Sequence, residues 1–357
     1  MESNKYQFIP TFSLVPNKIT TFNTVFRFND YYQEYRNVTK KKKYIFENKD
    51  GVNVKIELKR KSHNLKISDN AYRTMQKKIN WLYYLSIPSK QITYNKKLIY
   101  NFKINFITLT LPSKQQSCTR DINERFLNQF LTEIRTRFQV TNYVWRLEYQ
   151  KNGNVHYHIV TDVYIDYFAL QSIWNRIIEK DGYVTEYSNK MKSLSLSEYH
   201  NIYGIKNKLS FSESSKRYAK GCAEKWSRPP TVDTKSVVSG QAVAGYLSKY
   251  FSKSDDNNTI MNEFDNDDNT KNMRLWYCSR SLSKLNTISE YIEAYDYDIF
   301  KIVSKAKDLK KFVCKYATIF YFNISNMTGN GRKWIDFILN DYATKMGYLP
   351  HKLAFKT

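Results

Sequence analysis

Apolar and polar residues alternate most clearly in the middle of the chain. Lys103–Leu111 (KINFITLTL) is rich in β-branched and aromatic residues and reads as a strand that Pro112 stops. Residues 120–138 carry Phe126, Phe130 and Ile134 four apart, which predicts a helix. Tyr143–Gln150 and Val155–Val163 read as two strands, and the Asn152-Gly153 pair between them predicts a hairpin. Asp166–Lys180 predicts a second amphipathic helix, with Phe168, Ile173, Trp174, Ile177 and Ile178 apolar. Residues 181–231 are polar, and their pattern assigns no element. Thr234–Ser252 reads as a third helix and Arg274–Cys278 as a last strand. Upstream, Ser68 is placed to cap a helix over 69–86 that carries Met75, Ile79, Leu82 and Leu85 and ends before Pro88.

At ~150 residues per domain, 357 residues suggest about two domains. The pattern separates a basic region 1–100 of strands plus a helix, a central region 101–283, and a basic, mainly helical region 284–357. Lys40–Lys43 and the stretch Lys55–Lys66 read as solvated strand or loop. Lys305, Lys307, Lys310, Lys311 and Lys315 cluster in the last region. Ser254–Asn269 is rich in Asp and Asn but lacks the spacing of a calcium loop, so it reads as solvated.

Charge narrows the function. Lys and Arg number 57 against 33 Asp and Glu, a net charge of +24, which predicts a polyanionic partner, nucleic acid before membrane. Aromatics make up 16% of residues, and with so many lysines they suit base stacking on a basic groove, although many must be core. The apolar runs are far shorter than the ~20 residues that span a bilayer, and no signal segment follows Met1. Cys118, Cys222, Cys278 and Cys314 are scattered, which argues against a disulfide framework or zinc finger and for a reducing cytoplasm. No phosphate-loop motif occurs, so neither NTPase activity nor a built-in helicase is expected.

Two of the five histidines fall in His156-Tyr157-His158. On a strand, positions i and i+2 share a face, and two imidazoles side by side can bind one divalent ion. The competing reading is a pair of partly buried structural histidines. Hairpin geometry supplies a third ligand. If residues 151–153 form a three-residue loop with Gly153 left-handed, Gln150 pairs with Asn154 and Glu148 lies opposite His156. A two-residue loop would turn Glu148 to the other face, and Gln150, of the same parity, is the fallback ligand. A mixed N/O site of this kind suits Mg²⁺ or Mn²⁺. Further on, Tyr246, Lys249, Tyr250 and Lys253 share one face of the expected third helix, beside an apolar stripe of Val243, Leu247 and Phe251. In so tyrosine-rich a chain, two tyrosines at i,i+4 mean little by themselves.

The order of these pieces is what resembles a family. A strand Phe106-Ile107-Thr108-Leu109-Thr110-Leu111 precedes His156-Tyr157-His158, which apolar Ile159 and Val160 follow; then comes Tyr246-x-x-Lys249-Tyr250. These resemble the three motifs of the HUH endonucleases, specifically the two-tyrosine rolling-circle replication initiators of single-stranded DNA phages and small plasmids. Trp174 and Arg274-x-Trp276-x-x-Ser279-Arg280 are accessory likenesses, and the resemblance covers roughly residues 101–283.

The resemblance implies an α+β fold: a five-stranded, mostly antiparallel, RRM-like sheet with the histidine strand central and flanking helices, to which the N- and C-terminal regions are additions. It implies that His156 and His158 hold a divalent metal, Mg²⁺ or Mn²⁺, with Glu148 as third ligand. Tyr246 and Tyr250 would be the nucleophiles of a nicking and joining reaction through a 5′-phosphotyrosine, with Lys249 positioning metal or phosphate. Lys253, Arg274 and Arg280 are the expected nucleic-acid contacts. The expected substrate is single-stranded DNA or an origin hairpin, with host helicase, polymerase and single-strand-binding protein as partners, no membrane, and a host-cell cytoplasmic location. A mobilisation relaxase or two-tyrosine transposase would share this chemistry; a non-catalytic nucleic-acid-binding protein would lack the metal dependence.

Overall fold

In a computed structural model of the chain, the described residues are 6–27, 44–49, 52–57, 67–88, 90–94, 97–237, 273–292 and 309–348. The strands are β1 (Tyr6–Val15), β2 (Lys18–Arg27), β3 (Tyr44–Lys49), β4 (Val52–Glu57), β5 (Lys90–Tyr94), β6 (Lys97–Phe102) and β7 (Ile104–Thr110). They continue as β8 (Tyr143–Tyr149), β9 (Val155–Thr161), β10 (Val232–Val237), β11 (Trp276–Cys278), β12 (Ile288–Tyr291), β13 (Lys310–Val313) and β14 (Ala317–Tyr321). The longer helices are α1 (Asp69–Leu85), α2 (Asn128–Phe138), α3 (Tyr167–Ile178), α4 (Tyr183–Lys192), α5 (Phe211–Ala223) and α6 (Gly329–Lys345). Among the described residues no helix is long and apolar enough to cross a membrane.

The chain is α+β, and it divides into two units that are not consecutive in sequence. One comprises residues 1–64 and 287–345, the other 65–286 and 346–357. The sequence pattern had suggested three consecutive regions. Strand pairing between β1 and β12, and between β2 and β14, ties the two ends of the chain together, and no local pattern encodes such pairing.

In the second unit the order is β10-β7-β9-β8-β11, every neighbour antiparallel, with the histidine strand β9 in the middle. Alternation gives this sheet two unlike faces. Ile107, Leu109, Trp145, Leu147, Val155, Tyr157 and Ile159 face a buried core with Phe130, Ile134, Ile173, Trp174 and Ile177 of α2 and α3. Phe130 and Trp174 meet edge to face across the two helices, with ring centroids 5.7 Å apart, and Trp174 Nε1 donates to Thr110 O at 2.9 Å. The intervening residues, among them Arg146, Glu148, His156 and His158, share the other face.

Several expected elements stand within a residue or two of their predicted ends. Ser68 caps α1, its Oγ accepting from Ala71 N at 3.3 Å. The helix read over 120–138 begins as Thr119–Asp121, widens into a π-helical stretch Ile122–Leu127 and continues as α2. Phe168 differs from expectation: it is 67% exposed, on the outer side of the first turn of α3.

Thr234–Val237 belongs to β10 and not to the expected third helix. Val232 pairs with Leu109 and Thr234 with Ile107, so the core-facing row has period two. Residues 238–252, the rest of that expected helix, lie outside the described residues. So do Lys40–Lys43, the loop 254–269, Lys305 and Lys307. The region after 284, expected to be mainly helical, contributes strands β12, β13 and β14 besides α6. The unassigned stretch 181–231 is largely helical. Met191, Tyr199 and Trp226 form a small core of their own there, with Tyr187, Leu194, Tyr203 and Tyr218 packed against it. In the first unit the sheet order is β12-β1-β2-β14-β13.

Candidate active site

The β8–β9 hairpin sets the register of the polar face. Gly153 has φ +81°, Gly153 N donates to Gln150 O at 2.9 Å, and Gln150 N donates to Asn154 O at 2.8 Å. Residues 151–153 therefore form the three-residue loop that the spacing allowed. Glu148 then pairs with His156 and Arg146 with His158. All four side chains leave the same face, as period two requires.

A buried polar clamp holds this loop. Gln115 N donates to Asn154 Oδ1 at 2.9 Å, Asn154 Nδ2 to Ser113 O at 2.6 Å, and Val155 N to Gln115 Oε1 at 3.0 Å. Gln115 and Asn154 are both buried.

The histidine rings lie with centroids 4.6 Å apart. His158 Nε2 meets Glu148 Oε2 at 3.1 Å, its Nδ1 lies 3.4 Å from Thr108 Oγ1, and its ring stacks on Phe106 at 5.5 Å. His156 Nδ1 lies 2.8 Å from the side-chain amide of Gln150, while its Nε2 is buried with no hydrogen-bond partner. Burial, then the neighbouring His158, push the His156 imidazole down from 6.5 to about 4, so the ring is neutral near pH 7. In the tautomer whose Nδ1–H donates to the oxygen of the Gln150 amide, the neutral ring carries its open lone pair on Nε2.

Glu148 is held from two sides. Its Oε2 faces His158, and its Oε1 lies 3.2 Å from Arg146 Nη1, a guanidinium that is 2% exposed. Burial alone would raise the Glu148 carboxyl, but the His158 hydrogen bond and the Arg146 charge outweigh it and hold the group below the usual carboxylate range. Among the described residues, no three His, Cys, Asp or Glu side chains are already gathered around one point as a metal centre. The donor set nonetheless fits a divalent cation: an orphaned buried imidazole nitrogen, a second imidazole and an ionised carboxylate on one sheet face.

The structure thus brings together His156, His158 and Glu148. Gln150, the fallback ligand, instead contacts His156 from behind. Arg146 was missed by sequence reasoning, although a charged residue two before Glu148 in an otherwise apolar strand shares its parity. Arg274 and Arg280 flank the edge strand β11; the Arg274 guanidinium lies 4.6 Å from the Tyr277 ring centroid, and Arg280 is exposed. Tyr246, Lys249, Tyr250 and Lys253 lie outside the described residues.

Residues 104–255 match the model of the replication-associated protein (ORF2) family. The match covers fewer than half of the residues, but it spans β7 to β10 and continues through Tyr246, Lys249, Tyr250 and Lys253. This part of the chain is similar to replication-associated proteins. No curated protein and no solved structure matches.

Proposed function

We propose that the chain is a replication initiator that nicks and rejoins single-stranded DNA at an origin. The observation that carries this reading is the set Glu148, His156 and His158 on one face of the central hairpin, inside the segment similar to replication-associated proteins. The sequence order of that set and the Tyr246/Tyr250 pair supports the two-tyrosine form of the chemistry.

Glu148, His156 and His158 would hold the cation. Bound Mg²⁺ or Mn²⁺ polarises a phosphate and offsets the charge that builds on its oxygens. Gln150 orients His156 through its ring, and Arg146 keeps Glu148 ionised. The phenol of Tyr246 or Tyr250 attacks the scissile phosphorus. A tyrosine–phosphorus bond forms, the bond from phosphorus to the 3′ oxygen breaks, and that oxygen takes up a proton while the phenolic proton is lost to solvent. The strand is left with a free 3′-OH to prime a polymerase and a 5′ end attached to protein. Because an ester replaces an ester, rejoining needs no ATP. With the second tyrosine, a new junction can be cut while the first still holds the old end.

The test uses a random-sequence single-stranded oligonucleotide pool labelled at its 3′ end, incubated with the protein and Mn²⁺ and run on a denaturing gel. The label should migrate with the protein and should not do so with chelator. His158→Ala should abolish the adduct and leave DNA binding intact. The Tyr246→Phe, Tyr250→Phe double variant should form none. An adduct that survives the double substitution removes both tyrosines from the reaction.

A further inference from the structure

The first unit carries a surface that the proposed nicking chemistry does not use. Strands β1, β2, β13 and β14 contain no Asp or Glu; the sheet's one carboxylate, Glu290, is on β12, at the opposite edge from β13. Four strand spacings put those edges ~19 Å apart.

At the β13 edge the register builds a row across three strands. Lys310 pairs with Tyr321, and Tyr321 pairs with Lys18. These three therefore share a face, with Phe312, two residues beyond Lys310, beside them. Phe312 and Tyr321 meet edge to face with centroids 5.7 Å apart, and Lys18 Nζ stands 5.8 Å from the Tyr321 ring centroid. Phe312 is 52% exposed and Tyr321 43%.

Lysines on an edge strand can serve simply to discourage edge-to-edge pairing. That explains Lys310, but not two large aromatic rings left half in water beside it. Exposed aromatics interleaved with lysines, with no carboxylate among them, match what an unpaired nucleic-acid strand requires: flat faces for bases and cations for phosphates.

We propose that the face formed by Lys310, Phe312, Tyr321 and Lys18 is a second DNA site, a stacking platform for single-stranded DNA, separate from the hairpin site. The choice of DNA rests on the reading given under Proposed function; the platform itself rests on the register and exposure of these four residues.

The test uses the full chain in chelator, so that no cleavage occurs, with fluorescein-labelled dT20 followed by anisotropy. Phe312→Ala with Tyr321→Ala should weaken binding about tenfold or more, the loss typical of a removed base–aromatic stack. Lys18→Gln with Lys310→Gln should lower the slope of log affinity against log salt by about 1.4, since each single-strand phosphate contact contributes about 0.7. A dT20 substituted with 5-iododeoxyuridine should photocrosslink to a peptide containing Phe312 or Tyr321. Far-UV circular dichroism and the melting midpoint should be unchanged, because all four side chains lie on the surface layer.

Unchanged affinity together with crosslinks mapping elsewhere would overturn the proposal. So would tighter binding of rU20 than dT20, tighter binding of duplex DNA, or loss of self-association in place of DNA binding in the aromatic variant. The aromatic variant should still form the covalent adduct. If neither protein forms an adduct but dT20 binding still falls, the platform stands and the nicking reading fails.

Discussion

Glu148 Oε2 lies 3.1 Å from His158 Nε2, across the β8–β9 hairpin and ten residues away in sequence. The contact exists because Glu148 pairs with His156, whose side chain shares a face with that of His158. A shift of register by one residue would send Glu148 into the apolar core among Trp145 and Leu147 and take the carboxylate from both imidazoles.

Metal affinity should separate the two residues that the sequence left as alternatives. Glu148→Ala removes a charged ligand, whereas Gln150→Ala removes a group that steadies His156 from its far side. Outer contacts of that kind are typically worth about 10- to 100-fold in affinity, and a direct ligand should be worth more. Mn²⁺ titration by calorimetry should show at least about a tenfold greater loss for Glu148→Ala. The opposite ranking would make Gln150 the ligand.

Arg146 is almost fully buried against Glu148, so removing one partner leaves the other without its counter-charge. Arg146→Met should lower stability by about 3 kcal/mol in denaturant unfolding. The double variant Arg146→Met, Glu148→Gln should recover most of that loss, since replacing both partners of a buried pair is often close to neutral. If the two losses simply add, the 3.2 Å contact carries no coupling.

The legible parts of this molecule are those whose signals are local. Asn152-Gly153 between two alternating runs specifies the hairpin but allows a two- or a three-residue loop; the three-residue loop forms, and from it follows the pairing of Glu148 with His156. Ser68 and the spacing of Met75, Ile79 and Leu82 specify α1. What local pattern does not carry is the sheet of the first unit, because its strands come from the two ends of the chain. Thr234–Val237 reads as the start of a helix only while its partner β7 is unknown. Residues 181–231 bury Met191, Tyr199 and Trp226 beneath half-buried Tyr187, Tyr203 and Tyr218, and composition alone does not distinguish such tyrosines from surface. There Gly221 lies so close to Trp226 that an added Cβ would collide with the indole ring. The significance of Arg146 appears only once Glu148 has been placed.

The clamp at the hairpin loop gives a last expectation. Asn154 accepts from Gln115 N in a buried hydrogen bond and donates to Ser113 O in a half-buried one. Asn154→Ala would leave the buried Gln115 N–H without a partner, costing about 1–3 kcal/mol, and would also free the half-buried Ser113 carbonyl, at a smaller cost. Neighbouring Asn152 is exposed and contributes only an acceptor, at 3.1 Å, for Asn154 N. Guanidinium unfolding should therefore show a loss of about 3 kcal/mol for Asn154→Ala and under about 1 kcal/mol for Asn152→Ala. The same Asn154 variant should bind Mn²⁺ more weakly although it touches neither imidazole, because the loop that fixes the offset between β8 and β9 has lost its anchor. Equal unfolding midpoints for the two variants, with unchanged Mn²⁺ affinity, would show that backbone pairing alone maintains the register and that the Gln115–Asn154 clamp has no part in positioning the site.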